Sequence, residues 1–164
     1  MNEVFLLLGG NIGDRNNYLN KAKEKIENSI GKIIKHSSIY ETAAWGVTNQ
    51  ADFLNQVIVC KTSLNAKDCL KVSQSIEIEL ERIRHKKWSE RTIDIDILYF
   101  NNEIIYSNEL IVPHPEIPNR RFTLIPLTEI NPNKIHPSLK HSQKQLLENC
   151  FDKMEVKIFT DINS

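Results

Sequence analysis

The residues with the clearest chemistry lie between Arg82 and Phe100, where the chain reads RIRHKKWSERTIDIDILYF. Asp94 and Asp96 alternate with isoleucines, so a β-strand would place both carboxylates on one face, about 6.6 Å apart. Aspartate is depleted in strands, and two at this spacing favour a function. Mg²⁺ prefers oxygen ligands and is usually held by one or two carboxylates plus substrate phosphates. The pair predicts a metal site beside a polyphosphate; a half-exposed strand with a solvated polar face is the alternative.

A cluster of cations directly precedes the two aspartates. Its members are Arg82, Arg84, Lys86, Lys87 and Arg91. Arginine and lysine stabilise the charge that develops when a phosphoryl group is transferred. The sequence has no Ser-His-Asp order, catalytic cysteine or zinc motif that competes. The attacking hydroxyl is therefore expected to come from a substrate or from water.

Composition and charge narrow the class of protein. The chain has 164 residues with 21 basic and 21 acidic side chains, so its formal net charge is zero. Bulk attraction to nucleic acid or to an anionic membrane is not expected. Cys60, Cys69 and Cys150 form no paired motif, which is typical of reduced thiols, and the N-terminus has no signal-peptide pattern. We expect one cytoplasmic domain over residues 1–164.

The elements that position these residues follow from hydrophobic periodicity and from capping residues. In chain order we predict a strand at 4–8, a helix capped by Asp14 and stopped by Gly31, a strand at 32–40, a polar loop at 41–51, a strand at 53–61, a helix from Asn65 to Ile83, and the Asp-bearing strand. This β-α-β-β-α-β order is that of a ferredoxin-like α+β fold. It predicts an antiparallel sheet with both helices on one face.

Three further features in this frame have open interpretations. The turn from Gly9 to Asp14 invites a phosphate-loop interpretation, although it fits neither common glycine spacing. Trp45 either anchors its loop to the core or contacts a ligand. Asn55 shares a strand face with apolar residues, and a buried amide needs hydrogen-bond partners from backbone or from a polar ligand.

The chain changes character after Leu110, where prolines interrupt it. Asn119 is a candidate cap for a helix at about 120–129, which Pro126 is expected to bend or end. His114 lies between two prolines and is more often structural than functional. A last helix at 143–150 and a last strand at 156–159 complete the C-terminal elements. We assign no chemistry to the tail beyond Ser138.

The sequence also resembles a known family. The motifs LLLGGNIGD, YETAAWG, FLNQV, the Gln74 and Glu77 pair, RIR…KWSERTIDIDIL and VPHP…NRRF occur in the order seen in 6-hydroxymethyl-7,8-dihydropterin pyrophosphokinases of folate synthesis. The likeness runs from about residue 5 to 132. It implies a ferredoxin-like fold and Mg²⁺-dependent transfer of the pyrophosphoryl group of ATP to the pterin hydroxymethyl oxygen, releasing AMP. It also implies a monomer whose partners are these two small substrates, with no nucleic acid and no membrane.

The resemblance carries roles to individual residues. Asp94 and Asp96 would bind two Mg²⁺ ions, and Arg82 and Arg91 would act on the triphosphate and the transition state. Positions matching the ATP site are Gln74, Glu77, Arg84, Lys87, Trp88, Ile97, His114 and Arg120, with Ile97 lining the adenine pocket. Positions matching the pterin site are Thr42, Ala43, Trp45, Phe53, Asn55 and Phe122, with the two phenylalanines enclosing the flat ring.

Some positions depart from the family pattern. Gly10 stands where many members have serine, Ala43 and Ala44 where prolines are commoner, Lys87 where arginine is frequent, and Ser89-Glu90 where Gly-Pro is usual. These changes bear on rate and loop motion and remove no expected metal ligand. Two other classes fit the frame: an RNA-binding module, which would need a basic surface, and a metal-dependent nucleotidyltransferase or phosphohydrolase using the same aspartates.

Overall fold

The structure is a computed structural model that describes residues 1–43, 52–81 and 92–160. It is a mixed α/β arrangement with an antiparallel sheet and, in this part of the chain, four α-helices. The elements are β1 (Asn2–Gly10), α1 (Arg15–Ser29), β2 (Lys32–His36), β3 (Tyr40–Thr42), β4 (Phe53–Thr62), α2 (Ala66–Glu81), β5 (Asp94–Phe100), β6 (Ile105–Tyr106), β7 (Ile111–Val112), a 3₁₀ turn (Ile117–Asn119), α3 (Arg121–Ile130), α4 (Gln143–Glu148) and β8 (Val156–Ile158).

The main sheet has the strand order β5-β1-β4-β3-β8, and β2 also pairs with β4. Neighbouring strands in it are antiparallel. At one end of the sheet Gly9 lies opposite Asn55 on one side and opposite Asp94 on the other. Strands β6 and β7 form a separate hairpin. The register thus brings the predicted amide and carboxylate residues to the same end of the sheet.

The two faces of the sheet have separate hydrophobic cores. One core includes Leu6, Ile58 and Ile97 of the sheet and is covered by buried residues of α1 and α2. The other includes Leu7 and Val57 and is covered by buried residues of the 3₁₀ turn, α3 and α4. Segments that follow β5 along the chain thus cover the second face of the sheet.

A register shift in the β1–β5 pair sets the faces of β5. Phe5 lies opposite Tyr99 while Leu6 lies opposite Ile97, so Leu98 is an extra residue. Leu98 and Tyr99 both pack into the α3–α4 core, and Phe100 returns to the other one. Because of this bulge, Leu98 and Tyr99 both face the α3–α4 core, which is also the side of the sheet that Asp94 and Asp96 face.

The single strand predicted over 32–40 is wrong, because the structure has two strands separated at Ser37. The Ser37 Oγ accepts the Val57 N–H at 3.0 Å, and the Ser37 N–H donates to the Val57 carbonyl at 2.8 Å. A side-chain acceptor therefore takes over part of the ladder and interrupts the strand. The predicted polar loop also begins too early, since Thr42 belongs to β3.

The helix boundaries combine confirmed and corrected predictions. Asp14 Oδ1 accepts the Asn17 N–H at 3.2 Å and Asn65 Oδ1 accepts the Asp68 N–H at 2.8 Å, which confirms both caps. The prediction that Asn119 caps α3 is wrong, because Arg120 occupies that position without a capping side chain. Pro126 does not end α3, which continues to Ile130. No helix in the described ranges is long and apolar enough to cross a membrane.

Candidate functional site

A cavity of about 720 Å³ opens at the end of the sheet where Gly9, Asn55 and Asp94 meet. Residues from β1, β3, β4 and β5, from the start of α3 and from the segment before β8 line it. They are Leu7, Gly9, Thr42, Ala43, Phe53, Asn55, Asp94, Asp96, Glu116, Asn119, Arg120, Phe122, Phe151, Asp152 and Met154. Its size is within the range of pockets that hold small organic ligands.

Asp94 and Asp96 form the carboxylate end of the cavity. They are half-buried on β5, and their partners in β1 are Gly9 and Leu7. Because they are two residues apart on one strand, their side chains face the same side. The described residues contain no group of three or more His, Cys, Asp or Glu that could hold a metal ion. Two carboxylates in an open cavity fit Mg²⁺ when the remaining ligands are phosphate oxygens and water.

Asn55 and Thr42 form a polar patch on neighbouring strands of the same cavity. Asn55 is only 6% exposed. A Cβ atom placed on Gly9 would come within 2.3 Å of Asn55 Oδ1, so the glycine leaves the space that the amide occupies. The Thr42 Oγ1 is buried and makes no hydrogen bond to the described residues. Buried polar groups need partners, and a polar ligand in the cavity would supply them.

Two aromatic side chains line the cavity from different elements. Phe53 begins β4 and Phe122 lies in the first turn of α3, and both are half-buried. The Arg120 guanidinium carbon lies 5.7 Å from the centre of the Phe122 ring, and its Nε is 3.8 Å from a Glu116 oxygen. The cavity therefore combines a carboxylate end, a polar patch, two aromatic rings and a cation.

His114 lies beside this cavity without lining it. Its backbone N–H donates to the Leu98 carbonyl at 2.9 Å, and its Nδ1 accepts the Glu116 N–H at 3.1 Å. Burial lowers the pKa of His114; the carboxylates of Asp96 and Glu116 oppose this shift and the Arg120 charge adds to it. The imidazole thus holds the turn from His114 to Glu116 through a hydrogen bond, and it lies close enough to Asp96 to be affected by its charge.

Three other predicted ATP-site residues do not line this cavity. Ile97 belongs to the core beneath α1 and α2, on the opposite face from Asp96. Glu77 Oε2 accepts the Ile95 N–H at 2.8 Å and so connects α2 to β5. Gln74 is exposed on α2. The structure brings none of these three together with Asn55 or Phe122.

Several predicted site residues lie outside the described part of the chain. They are Trp45, Arg82, Arg84, Lys87, Trp88 and Arg91. These six residues belong to the segments 44–51 and 82–91, and residues near both segments line the cavity. Ala43 lines the cavity just before the first segment, and Asp94 lines it shortly after the second.

The structure adds cavity residues that the sequence had not indicated. Phe151, Asp152 and Met154 belong to the tail to which no chemistry was assigned, and Glu116 and Asn119 lie near the 3₁₀ turn. No local spacing signals the tail residues, because they reach the cavity through long-range contacts, which include the pairing of β8 with β3 and a hydrogen bond from Arg121 to Asp152. Gly9 carried a signal, since a glycine at the end of a strand often marks close approach of another group.

The chain is similar to proteins of one known family over most of its length. The family model for 7,8-dihydro-6-hydroxymethylpterin-pyrophosphokinase (HPPK) matches residues 5–132. The 2-amino-4-hydroxy-6-hydroxymethyldihydropteridine pyrophosphokinase of Aquifex aeolicus is 45% identical over 145 residues, which cover 88% of this chain and 90% of the relative. The protein of the same name from Bacillus subtilis is 47% identical over 130 residues, covering 79% of this chain and 78% of the relative.

Solved structures with a similar fold also contain HPPK in their names. A triple mutant of Plasmodium falciparum HPPK-DHPS superposes with a TM-score of 0.75 at 21% identity, covering 90% of this chain and 41% of that chain. Wild-type HPPK-DHPS from the same organism, solved with pteroate, gives a TM-score of 0.73 at 19% identity, covering 90% of this chain and 44% of that chain. The present chain thus spans less than half the length of these structural neighbours. It belongs to the 7,8-dihydro-6-hydroxymethylpterin-pyrophosphokinase family and is an ATP-dependent diphosphokinase.

Proposed function

We propose that this chain transfers the pyrophosphoryl group of ATP to the hydroxymethyl oxygen of 6-hydroxymethyl-7,8-dihydropterin, in a Mg²⁺-dependent reaction that releases AMP. The observation that carries the proposal is the composition of one cavity. Asp94 and Asp96 lie at one end, and Asn55, Thr42 and two phenylalanines line the rest. A flat polar heterocycle and a metal-bound polyphosphate need these two kinds of environment side by side.

The pterin ring is assigned to the region around Asn55. The side-chain amide offers both a donor and an acceptor, which complements the donor and acceptor edge of a pterin. The buried Thr42 Oγ1 is available for a further hydrogen bond because no described residue occupies it. Phe53 and Phe122 would cover the faces of the ring, as aromatic side chains do for flat ligands. Ala43 and Trp45 complete the proposed set from the adjoining loop.

Strand spacing supports a reaction between the two regions. Asn55 is on β4 and Asp94 is on β5, with Gly9 of β1 between them in register. Two strand spacings correspond to about 10 Å. A pterin against Asn55 would therefore direct its hydroxymethyl group along the cavity toward phosphates held near Asp94 and Asp96. Holding two substrates in this relation lowers the barrier by proximity.

Asp94 and Asp96 would hold two Mg²⁺ ions, which supply neutralisation of the phosphate oxygens when bound. Arg120 lines the cavity and His114 interacts electrostatically with Asp96, and both are proposed to contact the nucleotide. Family motifs alone support the other assignments: Arg82 and Arg91 in catalysis, and Gln74, Glu77, Arg84, Lys87, Trp88 and Ile97 in ATP binding.

The detailed fold, the domain organisation, the oligomeric state and the cellular compartment are also proposals. In the strand order, β4 pairs with β1 on one side and with β2 and β3 on the other. This order supports a ferredoxin-like βαββαβ unit to which the C-terminal elements are added. We infer one domain over residues 1–164, acting as a monomer in the cytoplasm. Three buried cysteines without disulfides agree with a reducing compartment.

The test is pterin-dependent release of AMP from ATP, measured with and without Mg²⁺. Asp94→Asn and Asp96→Asn should each lower kcat by about 100-fold or more, since each removes a charged oxygen ligand from the phosphate region. Asp68→Asn, an exposed change on α2, is the matched control and should keep normal turnover. Circular dichroism checks that the variants remain folded.

Two outcomes would contradict the proposal. Near-normal turnover in Asp94→Asn or Asp96→Asn would show that the carboxylate concerned is not needed for the reaction. Production of ADP, or of a nucleotide attached to an acceptor, would instead favour a phosphohydrolase or nucleotidyltransferase that uses the same aspartates.

A further inference from the structure

The segment between α4 and β8 forms a wall of the cavity that no family motif covers. The family model ends at residue 132, whereas Phe151, Asp152 and Met154 line the cavity. Phe151 is 97% exposed, although it is a large aromatic residue at the edge of a concave site. An exposed apolar side chain in such a place gains free energy when a ligand covers it.

Hydrogen bonds at the start of this segment hold it against α3. Asp152 Oδ2 accepts the Arg121 N–H at 3.0 Å, and its Oδ1 accepts the Met154 N–H at 3.0 Å. One carboxylate thus fixes the local turn and attaches it to the first turn of α3. That turn of α3 also carries Phe122, so Phe151 and Phe122 are held on connected backbone.

The pairing of β8 fixes the other end of the segment. Val156 lies opposite Thr42, and Ile158 lies opposite Tyr40. Met154 precedes this pairing by two residues, which places it beside the point where the chain leaves β3 for Ala43. The cavity wall is therefore attached to both of its neighbours, α3 and β3.

The strand order identifies the region of the cavity that this wall serves. β8 and β5 lie at opposite edges of the sheet, with β1, β4 and β3 between them. Four strand spacings correspond to about 19 Å, so β8, at which the wall ends, is far from the carboxylates of β5. β8 is next to Thr42 of β3, which pairs with Phe53 of β4, and both residues are assigned to the ring.

We propose that Phe151 and Met154 bind the pterin by covering the edge of the ring that Phe53 and Phe122 leave open to solvent, and so act as further pterin-binding residues at the outer edge of the site. This inference rests on the proposed function, because it takes the same ring as the ligand. A phenyl ring and a thioether both make favourable contacts with the edge of an aromatic ring. Both side chains are apolar, so they contribute affinity by excluding water and leave recognition of the polar edge to Asn55.

The test compares Phe151→Ala with Tyr106→Ala. Tyr106 is a matched control because it is 87% exposed, lies on the β6–β7 hairpin and does not line the cavity. Binding of 6-hydroxymethyl-7,8-dihydropterin is measured by calorimetry in the presence of a non-hydrolysable ATP analogue and Mg²⁺, and KM is measured for both substrates. Phe151→Ala should weaken pterin binding by about 5- to 30-fold. The KM for ATP and the melting temperature should stay at wild-type values.

Two further variants, Phe151→Trp and Met154→Ala, test whether an apolar contact with the ring is responsible for the effect. Phe151→Trp should keep pterin binding within about twofold of wild type, because an indole can make the same contact with the edge of the ring. Met154→Ala should raise the KM for pterin in the same direction as Phe151→Ala. Neither change should alter the KM for ATP.

The outcomes separate this inference from the proposed function. If the wild-type enzyme releases AMP in the presence of pterin but Phe151→Ala binds pterin with unchanged affinity, the inference is overturned and the proposed function stands. An equal loss in Tyr106→Ala would also overturn it. If wild type neither binds pterin nor releases AMP, the proposed function fails and the inference fails with it.

Discussion

Gly9 shapes the site through the side chain that it lacks. A Cβ at this position would lie 2.3 Å from Asn55 Oδ1 and 3.3 Å from the Leu54 carbonyl oxygen. The first distance is far below van der Waals contact, so the Asn55 amide would have to move. Glycine is needed here for space, because the amide lies where any other residue would place its first carbon atom.

Gly9→Ala is therefore expected to displace the Asn55 side chain and to raise the KM for pterin by about 10-fold or more, with a stability loss of about 1–3 kcal/mol from overpacking. Steady-state kinetics and urea unfolding measure the two effects. The control is a double-mutant cycle with Asn55→Ala. In the Asn55→Ala background, Gly9→Ala should have little further effect on the KM for pterin. Fully additive effects on that KM would show that the glycine acts independently of the amide.

The sequence predicted the two aspartates and Asn55 from residue types and periodicity, and the structure places all three on one cavity. The glycine at position 9 signalled a close approach, but the group that approaches it could not be predicted, because that depends on the register between β1 and β4. Ile97 lies on the opposite face of β5 from Asp94 and Asp96, on the side covered by α1 and α2. Its assignment to the adenine pocket stays a prediction.

At the scale of elements, the turn between α3 and α4 contains a buried histidine. His136 is 4% exposed, and its Nδ1 accepts the N–H groups of Ser138 at 3.2 Å and Leu139 at 3.0 Å. Its ring lies edge-on to Tyr99, with 5.9 Å between the ring centres. Burial lowers the pKa of His136, and the charge of Lys134 adds to the shift.

This geometry predicts a loss of stability in mild acid. The pKa of His136 is below the unfolded value of about 6.5, so the unfolded chain takes up the proton first as pH falls. The contribution of His136 is fully present above about pH 6.5 and is lost as pH falls toward the lowered pKa. His136→Gln should therefore reduce the slope of unfolding free energy against pH between about 6.5 and 5, measured by urea titration.

The slope is the measurement that matters, because His136→Gln also removes packing against Tyr99 and can lower stability at every pH. His141→Gln, an exposed change in the same turn, is the matched control for altering a histidine there. A wild-type slope in His136→Gln would mean that the imidazole does not govern the acid sensitivity of this turn.

Local sequence signals predicted where helices and strands occur better than they predicted which elements contact each other. The caps at Asp14 and Asn65 are read from neighbouring residues, and both are confirmed. The break at Ser37 depends on a hydrogen bond to Val57, 20 residues away. The strand near residues 156–159 was predicted from composition, but its pairing with β3 depends on long-range packing. The cavity wall before β8 was missed for that reason.

At the scale of the whole molecule, Arg15 joins distant parts of the chain. Its Nη1 lies 2.6 Å from Glu41 Oε2 on β3 and donates to the Asp52 carbonyl at 2.7 Å. Its guanidinium carbon is 5.6 Å from the centre of the Phe159 ring. Glu41 and Asp52 flank the segment assigned to pterin binding, and Phe159 follows β8. One side chain thus connects the start of α1, both ends of that segment and the tail.

Arg15→Ala should therefore raise the KM for pterin more than the KM for ATP, and it should lower the melting temperature by several degrees, corresponding to about 1–2 kcal/mol. Arg15→Lys should recover only part of both effects, because an ammonium group cannot reproduce the planar fork. Kinetics with each substrate and thermal unfolding make the measurement.

The control for Arg15→Ala is Lys25→Ala. Lys25 also lies on α1 and pairs with Glu79 at 2.7 Å, but this ion pair is more exposed and joins only α1 to α2. Exposed ion pairs contribute little, so this variant should resemble wild type. An Arg15→Ala enzyme with unchanged pterin kinetics would show that the segment between Glu41 and Asp52 is positioned by other contacts.

The pairing of β8 with β3 also has a consequence for synthesis on the ribosome. The cavity is lined by residues from Leu7 to Met154, and its outer wall depends on a strand that ends at Ile158. The central strands, α3 and α4 can associate once α4 has left the exit tunnel, but the pocket then still lacks one side. A nascent chain at that stage could be folded and yet unable to bind its substrates well. Binding competence would arrive as a separate, late event in translation, after most of the hydrophobic core has formed.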